Sequence, residues 1–231
     1  SLTHIEQAAF EGISLQTKLN SVDLSNNRLE FVKKHYFLNL TELRVLRLRN
    51  NQMSSIEAAT FDTLLRLTEL DLSDNCLTRV SEKVIAGLAN LHVLNLSANL
   101  ISTMQFELGS LKSLTKLDLA HNLIERFANN NILSPNLTYI DLSSNELLRL
   151  FELREQFAFV SLNNNLKIRF ATSPAAGQVQ VYSSLRELFV SGMPRETLAK
   201  YSLGLFPNLT ALDLSRTNLT DLGHMFHEVR L

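Results

Sequence analysis

Nine times along the chain the frame L-x-x-L-x-L-x-x-N-x-L returns, beginning at Leu19, Leu43, Leu67, Leu91, Leu114, Leu137, Phe157, Leu185 and Leu209. Successive starts lie 24, 24, 24, 23, 23, 20, 28 and 24 residues apart. A self-similar period of roughly 20 to 30 residues is the mark of a stacked-repeat architecture, in which each unit supplies one supersecondary element and buries its apolar face against its neighbours. With this consensus each unit is expected to contribute one short strand to a curved parallel sheet, so the expected class is an α/β repeat solenoid. Its concave face is a curved parallel β-sheet of about nine short strands, and its convex returns are irregular or briefly helical.

Counting the first leucine of each frame as slot one, the same seven apolar slots recur. The Leu43 unit fills them with Leu43, Leu46, Leu48, Met53, Ile56, Phe61 and Leu64, and the Leu67 unit with Leu67, Leu70, Leu72, Leu77, Val80, Ile85 and Leu88. Slots one, four, six and eleven point into the core, and the later three close the coil. Each such side chain stabilises the fold by roughly 1.5 to 3 kcal/mol when fully buried. That offsets the ordering entropy only when adjacent repeats cover both faces, so a single repeat does not fold alone.

Asparagine recurs at slot nine as Asn27, Asn51, Asn75, Asn99, Asn122, Asn145 and Asn165. The backbone turns sharply after each strand there, and a buried amide side chain can satisfy peptide groups that would otherwise cost about 1 to 3 kcal/mol each. The ladder is therefore structural. It stops at Met193, resumes in part with the hydroxyl of Thr217, and predicts an irregular turn near Ser191, Gly192, Met193 and Pro194.

The chain reads as one domain over residues 1–231, with a partial first repeat at 1–18. In that partial unit Leu2, Ile5, Phe10 and Ile13 fit slots eleven, fourteen, nineteen and twenty-two of a repeat whose strand is missing, and neither end supplies a polar cap, so a fragment of a longer solenoid is expected. With 45% hydrophobic and 19% charged residues and a formal net charge of −1, nothing marks disorder or a basic nucleic-acid surface. No run of about 18 apolar residues is present to span a membrane, and no N-terminal signal segment is found.

The 24-residue units, with Ile56, Phe61 and Leu64 in one and Val32, Phe37 and Leu40 in another, resemble the typical subfamily of leucine-rich repeats. The resemblance covers nearly the whole chain and implies a horseshoe-shaped solenoid. Proteins of this subfamily include Toll-like receptor ectodomains, Slit-like guidance proteins, small proteoglycans, adhesion receptors and insect immune recognition proteins. It therefore implies an extracellular or cell-surface, non-enzymatic recognition module for innate immunity or adhesion. A protein is the leading partner class, with glycan or lipid as further classes, and no cofactor is implied. The cysteine-rich caps of the family are missing here. An intracellular scaffold or regulatory subunit, and a matrix structural protein, are the alternatives; oligomeric state is left open.

Strand alternation puts slots three and five on the concave, solvent-facing side. Slot five is aspartate by default, as in Asp23, Asp71, Asp118, Asp141 and Asp213, so its departures are the informative positions. Arg47 joins Arg44 and Arg49 in a basic patch facing Glu69, Asp71 and Asp74, which is either a solvated cross-strand charge set or an anion-binding patch. Slot three places Tyr139 and Phe159 on adjacent strands, and slot five places Phe189 on the next. Aromatic rings held towards solvent on a rigid sheet are the composition of a binding hot spot, and together with the arginines they are the candidate ligand-binding residues. The alternatives are that the irregular insert from Ala171 to Ser184 folds back over them or that register in the short Leu137 repeat turns a ring inward; the insert itself is either a neutral insertion in a tolerant return loop or a recognition loop.

Five N-x-S/T triplets occur, of which Asn39, Asn136, Asn208 and Asn218 are expected glycosylation sites, while Asn95 lies in a strand where a glycan would obstruct the sheet. Cys76 is the only cysteine, so no internal disulfide forms and pairing says nothing of compartment. His224 and His227 are three apart but lack further residues at ligand spacing, so no metal site is expected. Asp118 and Asp141 stack at one slot because the repeat places them there, and His121 has no nucleophile or phosphate-cradling glycine loop beside it. No catalytic constellation emerges.

Overall fold

A computed structural model describes residues 2–5, 18–103, 108–127, 134–148, 156–168, 182–198 and 205–222. Each frame opens one three-residue strand: β1 (Ser21–Asp23), β3 (Val45–Arg47), β5 (Glu69–Asp71), β6 (Val93–Asn95), β7 (Lys116–Asp118), β8 (Tyr139–Asp141), β9 (Phe159–Ser161), β10 (Glu187–Phe189) and β11 (Ala211–Asp213). They form a nine-stranded sheet in the order β1-β3-β5-β6-β7-β8-β9-β10-β11. Every pair is parallel and in register, slot four against slot four, as in Leu70 opposite Leu94 and Ile140 opposite Val160. The fold is the solenoid with a parallel sheet that the period implied.

The returns differ between repeats. A short pair, β2 (Phe31–Val32) with β4 (Ser55–Ile56), forms a second parallel sheet that the repeat pattern did not lead us to expect. It forms where two adjacent returns both present an extended dipeptide ending in a β-branched residue, Val32 or Ile56, which suits a pleated surface. Among the described residues the returns also carry single turns of 3-10 or α-helix, at Lys34–Phe37, Glu82–Ile85, Leu108–Ser110 and Arg195–Leu198.

Core burial follows the slots. Leu46, Leu70, Leu94, Leu117, Ile140 and Val160 at slot four are all 0% exposed, while Val22 and Leu188 towards the two ends rise to 8%. Interior repeats therefore gain the full burial of this residue and the outer ones less, as expected when neighbours supply the cover. The later slots stack as well, with the Phe37 and Phe61 rings 5.9 Å apart between consecutive returns.

Slot nine holds the turns together. In the Asn51 unit, Oδ1 accepts from the Leu29 amide of the preceding repeat at 3.0 Å, and Nδ2 donates to the Leu24 and Leu48 carbonyls at 3.0 Å each. The same set recurs through Asn165, which takes the Leu147 amide at 3.1 Å and gives to Leu142 and Leu162 at 2.9 Å. Each amide thus links two repeats. Met193 is buried at this slot without such bonds, and Thr217 donates its hydroxyl to the Leu214 carbonyl at 2.6 Å.

Slot eight adopts the left-handed backbone in every repeat, at Asn26, Asn50, Asp74, Ala98, His121, Ser144, Asn164, Gly192 and Arg216, with φ between 51° and 71°. Gly192 also donates its amide to Ser215 at 2.9 Å, just as Asn164 does to Ser191 at 2.7 Å. The turn at Ser191–Pro194 was expected to be irregular, but its backbone through Gly192 follows the others, because glycine meets the conformational demand that the missing asparagine does not affect. The departure comes afterwards, in the helical turn Arg195–Leu198.

Candidate functional site

The concave strands repeat a burial pattern of half-exposed, buried, half-exposed, so slots three and five face solvent together. On β8 and β9 this places Tyr139 directly opposite Phe159. Their rings stack with centroids 4.0 Å apart and planes 7° from parallel. Phe189 stands one slot pair further along β10, opposite Ser161, and reaches Phe159 on the diagonal at 5.4 Å and 36°. At the other end the Lys116 ammonium on β7 sits 4.3 Å from the centre of the Tyr139 ring, a cation–π contact. Four neighbouring strands thus carry one continuous ladder, Lys116–Tyr139–Phe159–Phe189.

The surroundings of the ladder are acidic. Burial pushes the Asp118 carboxyl above its usual range against the lowering effect of its bond to the Ala120 amide, and Asp141 and Asp71 push it further. Burial, followed by the charges of Asp141, Asp118 and Glu187, pushes the Tyr139 phenol up to about 12. Lys116, Asp118, Asp141 and Glu187 were not singled out as site residues by the sequence; their adjacency to the rings was readable from the slot table, since each shares a face and a neighbouring strand with one of them.

The slot-five aspartates prove to have a local task. Their Oδ1 atoms accept the amide two residues on, at 2.9 Å for Asp23 to Ser25, 3.0 Å for Asp71 to Ser73, 3.0 Å for Asp118 to Ala120, 2.8 Å for Asp141 to Ser143 and 2.8 Å for Asp213 to Ser215. Asn95 does the same for Ser97 at 3.0 Å. Phe189 cannot accept a hydrogen bond, and there the Asn163 side chain of the preceding repeat takes the Ser191 amide at 2.7 Å. Asn163 thus supplies on this strand the acceptor that Phe189 cannot.

The arginines lie elsewhere. Arg47 on β3 bonds Glu69 of β5 at 2.6 Å, and Arg49 bonds Asp74 at 2.8 Å, while Arg44, just before β3, is exposed. With β5, β6 and β7 between β3 and β8, the structure does not bring these residues to the aromatic ladder. Arg47 and Arg49 are already engaged across strands, in the solvated arrangement that is worth under about 1 kcal/mol per pair.

The expected glycosylation positions Asn39, Asn136, Asn208 and Asn218 are all exposed. Asn136 donates its side-chain amide to the Lys112 carbonyl at 2.8 Å and Asn208 to Ser183 at 2.9 Å, and Asn90, outside any N-x-S/T triplet, bonds Leu65 in the same way at 2.8 Å. The threonines two residues on bond inter-repeat carbonyls too, Thr138 to Thr115 at 3.3 Å and Thr210 to Arg186 at 3.0 Å. Both ends of these two triplets therefore have a role in repeat stacking apart from any glycan. Asn95 is half-buried and its Oδ1 is committed to Ser97. Cys76 is exposed. The insert at 171–181, the pair His224 and His227, and Phe10 and Ile13 lie outside the described residues. Among the described residues no helix is long and apolar enough to cross a membrane.

A nine-stranded parallel sheet on a repeat solenoid, with an asparagine at the inward turn and solvent-facing residues at fixed slots, defines a scaffold of the leucine-rich-repeat class. The leucine rich repeat family matches residues 1–53, 17–75, 42–101 and 65–124, with a second repeat family at 207–225. The chain belongs to the leucine-rich-repeat family, whose domains are typically protein-binding and non-catalytic. No curated protein matches the sequence. Among solved structures it is similar to the leucine-rich-repeat domain of APL1 (21% identity, 91% of this chain and 52% of that one, TM-score 0.71). It is also similar to a leucine-rich-repeat protein of Leptospira interrogans (26% identity, 90% and 58%, TM-score 0.62). A chain of the Toll–Spatzle complex from Drosophila matches at 24% identity over 93% of this chain and 28% of that one, with TM-score 0.71. The sequence thus spans little more than half the length of the APL1 leucine-rich-repeat domain and a smaller part of the Drosophila chain.

Proposed function

We propose that this chain is a non-enzymatic recognition module that binds a protein ligand through its concave sheet, as part of a secreted or cell-surface protein acting in immunity or adhesion. The carrying observation is the aromatic ladder of Tyr139, Phe159 and Phe189, half-exposed on three adjacent strands of a rigid face. Aromatic side chains lose little conformational entropy on binding and bury a large area, which is why such clusters dominate interface energetics. Each ring is already held by its neighbour, so the surface is organised before a partner arrives. The similarity to APL1 and to the Toll–Spatzle complex supports an extracellular setting, as do exposed Asn39, Asn136, Asn208 and Asn218 as glycan acceptors.

The test uses the full chain expressed with a secretory leader. Intact mass before and after N-glycosidase reads glycan occupancy at the four asparagines, and parallel screening of wild type and Phe159→Ala against arrayed extracellular proteins reads the face. A partner bound by wild type and lost by a Phe159→Ala chain of unchanged melting behaviour supports the reading. Efficient secretion with no glycan, together with partners that both chains retain equally, overturns it in favour of another surface and an intracellular setting.

A further inference from the structure

The concave face around the ladder is charged in one sense. At slots three and five from β7 to β11 stand four carboxylates, Asp118, Asp141, Glu187 and Asp213, against a single ammonium, Lys116. Among the described residues none of the four is in an ion pair, in contrast to Glu69 and Asp74 at the β3 end, which hold Arg47 and Arg49. The three aspartates each commit Oδ1 to one backbone amide, leaving the second oxygen for another donor. Of the nearby arginines, Arg186 is directed to the Asn208 carbonyl at 3.2 Å, and Arg216 occupies the exposed turn after β11. Lys116 spends its charge on the outer face of the Tyr139 ring. The molecule thus already places one cation against this ladder, at one end only.

We infer that the ladder and its carboxylate rim receive an arginine-bearing segment of a separate protein, the guanidinium lying against the Phe189 ring, which ends the ladder opposite Lys116 and is held in place by Phe159, and bonding Asp141 or Glu187. This rests on the concave-face reading proposed above. Charge complementarity selects a basic partner, and the combination of flat aromatic faces with carboxylates selects arginine over lysine, because only a planar guanidinium stacks and donates two parallel bonds at once. The partly buried positions of Asp141 and Glu187 make such a pair stronger than one formed at an open surface.

The experiment is isothermal titration of the full chain with a decapeptide of alternating arginine and leucine and with the same peptide carrying citrulline, a neutral isostere, at 20 and 300 mM sodium chloride. The variants are Asp141→Asn with Glu187→Gln, Phe159→Leu, and Glu82→Gln on the convex side as control. Asparagine at slot five retains the amide contact, as Asn95 shows, so the charge variant folds. Expected are binding of the arginine peptide, at least tenfold weakening with citrulline, with the double charge variant and with Phe159→Leu, a marked loss at high salt, and no change with Glu82→Gln. Equal binding of the two peptides, insensitivity to the double variant, or no binding at millimolar peptide overturns the inference. If Phe159→Leu weakens both peptides alike while the charge variant weakens neither, the concave reading stands and the arginine inference falls; if neither variant has an effect, both fall.

Discussion

The Asn163 side chain accepts the Ser191 amide at 2.7 Å, and in doing so takes over on β10 the task that a slot-five aspartate performs on five other strands and Asn95 on a sixth. Ser191 is buried, so its amide needs that acceptor. Asn163→Ala is expected to destabilise the chain by about 1 to 3 kcal/mol, the cost of a buried unpaired amide. Adding Phe189→Asp should return most of that loss, because the aspartate can reach the Ser191 amide from its own repeat. Urea denaturation of the two single variants and the double variant checks this, and additive losses would show that the two acceptors are not interchangeable.

The strands and the asparagine ladder were legible because they repeat: an error at one frame is corrected by its neighbours, and Leu46, Leu70 and Leu94 share one environment. The common face of Tyr139, Phe159 and Phe189 was legible for the same reason, through strand alternation. Their contact was not, since the Phe159–Phe189 approach is a diagonal between slots three and five and depends on sheet twist. The left-handed turn at slot eight was hidden because Ala98, Ser144 and Arg216 carry no preference for it, which breaks the run of Asn, Asp, His and Gly that favour that backbone. The aspartate at slot five looked like mere consensus, and its bond to an amide two residues away becomes visible only when the turn geometry is known.

The left-handed slot makes a stability prediction. Ala98 sits there at φ 51°, where an alanine is strained and an asparagine is not, as Asn26, Asn50 and Asn164 show in other repeats. Ala98→Asn is expected to raise stability by about 0.5 to 1 kcal/mol. Gly192→Ala should do the opposite, by about 1 to 2 kcal/mol, since φ is 71° and the added Cβ would stand 3.0 Å from the Asn164 Oδ1. Thermal melts of the two variants at one pH measure both signs.

Asn99 and Phe159 separate fold from recognition. Asn99 accepts the Leu77 amide at 3.0 Å and donates to Leu72 and Leu96 at 3.0 and 3.1 Å, so Asn99→Ala leaves several buried peptide groups without partners and is expected to cost at least about 3 kcal/mol. Phe159→Ala loses ring stacking of about 0.5 to 1.5 kcal/mol beyond the area it uncovers, on a half-exposed face, and should leave the fold intact while abolishing partner binding. Urea midpoints set beside a binding assay decide it. Equal melting losses from the two changes would refute the assignment of core turn and open face.

Two titrations report on the acidic rim. Tyr139 ionises at about 12 in the folded chain against 10.0 for a free phenol, so the folded state favours the neutral ring. Its contribution to stability is complete below about pH 10 and is lost as pH rises through about 12, which absorbance of the phenolate at alkaline pH should show, with Tyr139→Phe removing that late step. Asp118 is also raised, which for a carboxylate means that ionisation works against the fold at neutral pH. Asp118→Asn keeps the acceptor for the Ala120 amide and removes the charge, so it should stabilise the chain at pH 7. The gain should vanish as pH falls below the carboxylate range, where the wild-type group is itself neutral. A pH-independent difference between Asp118→Asn and wild type would show that repulsion from Asp141 and the cost of burying the charge are not what raises this group.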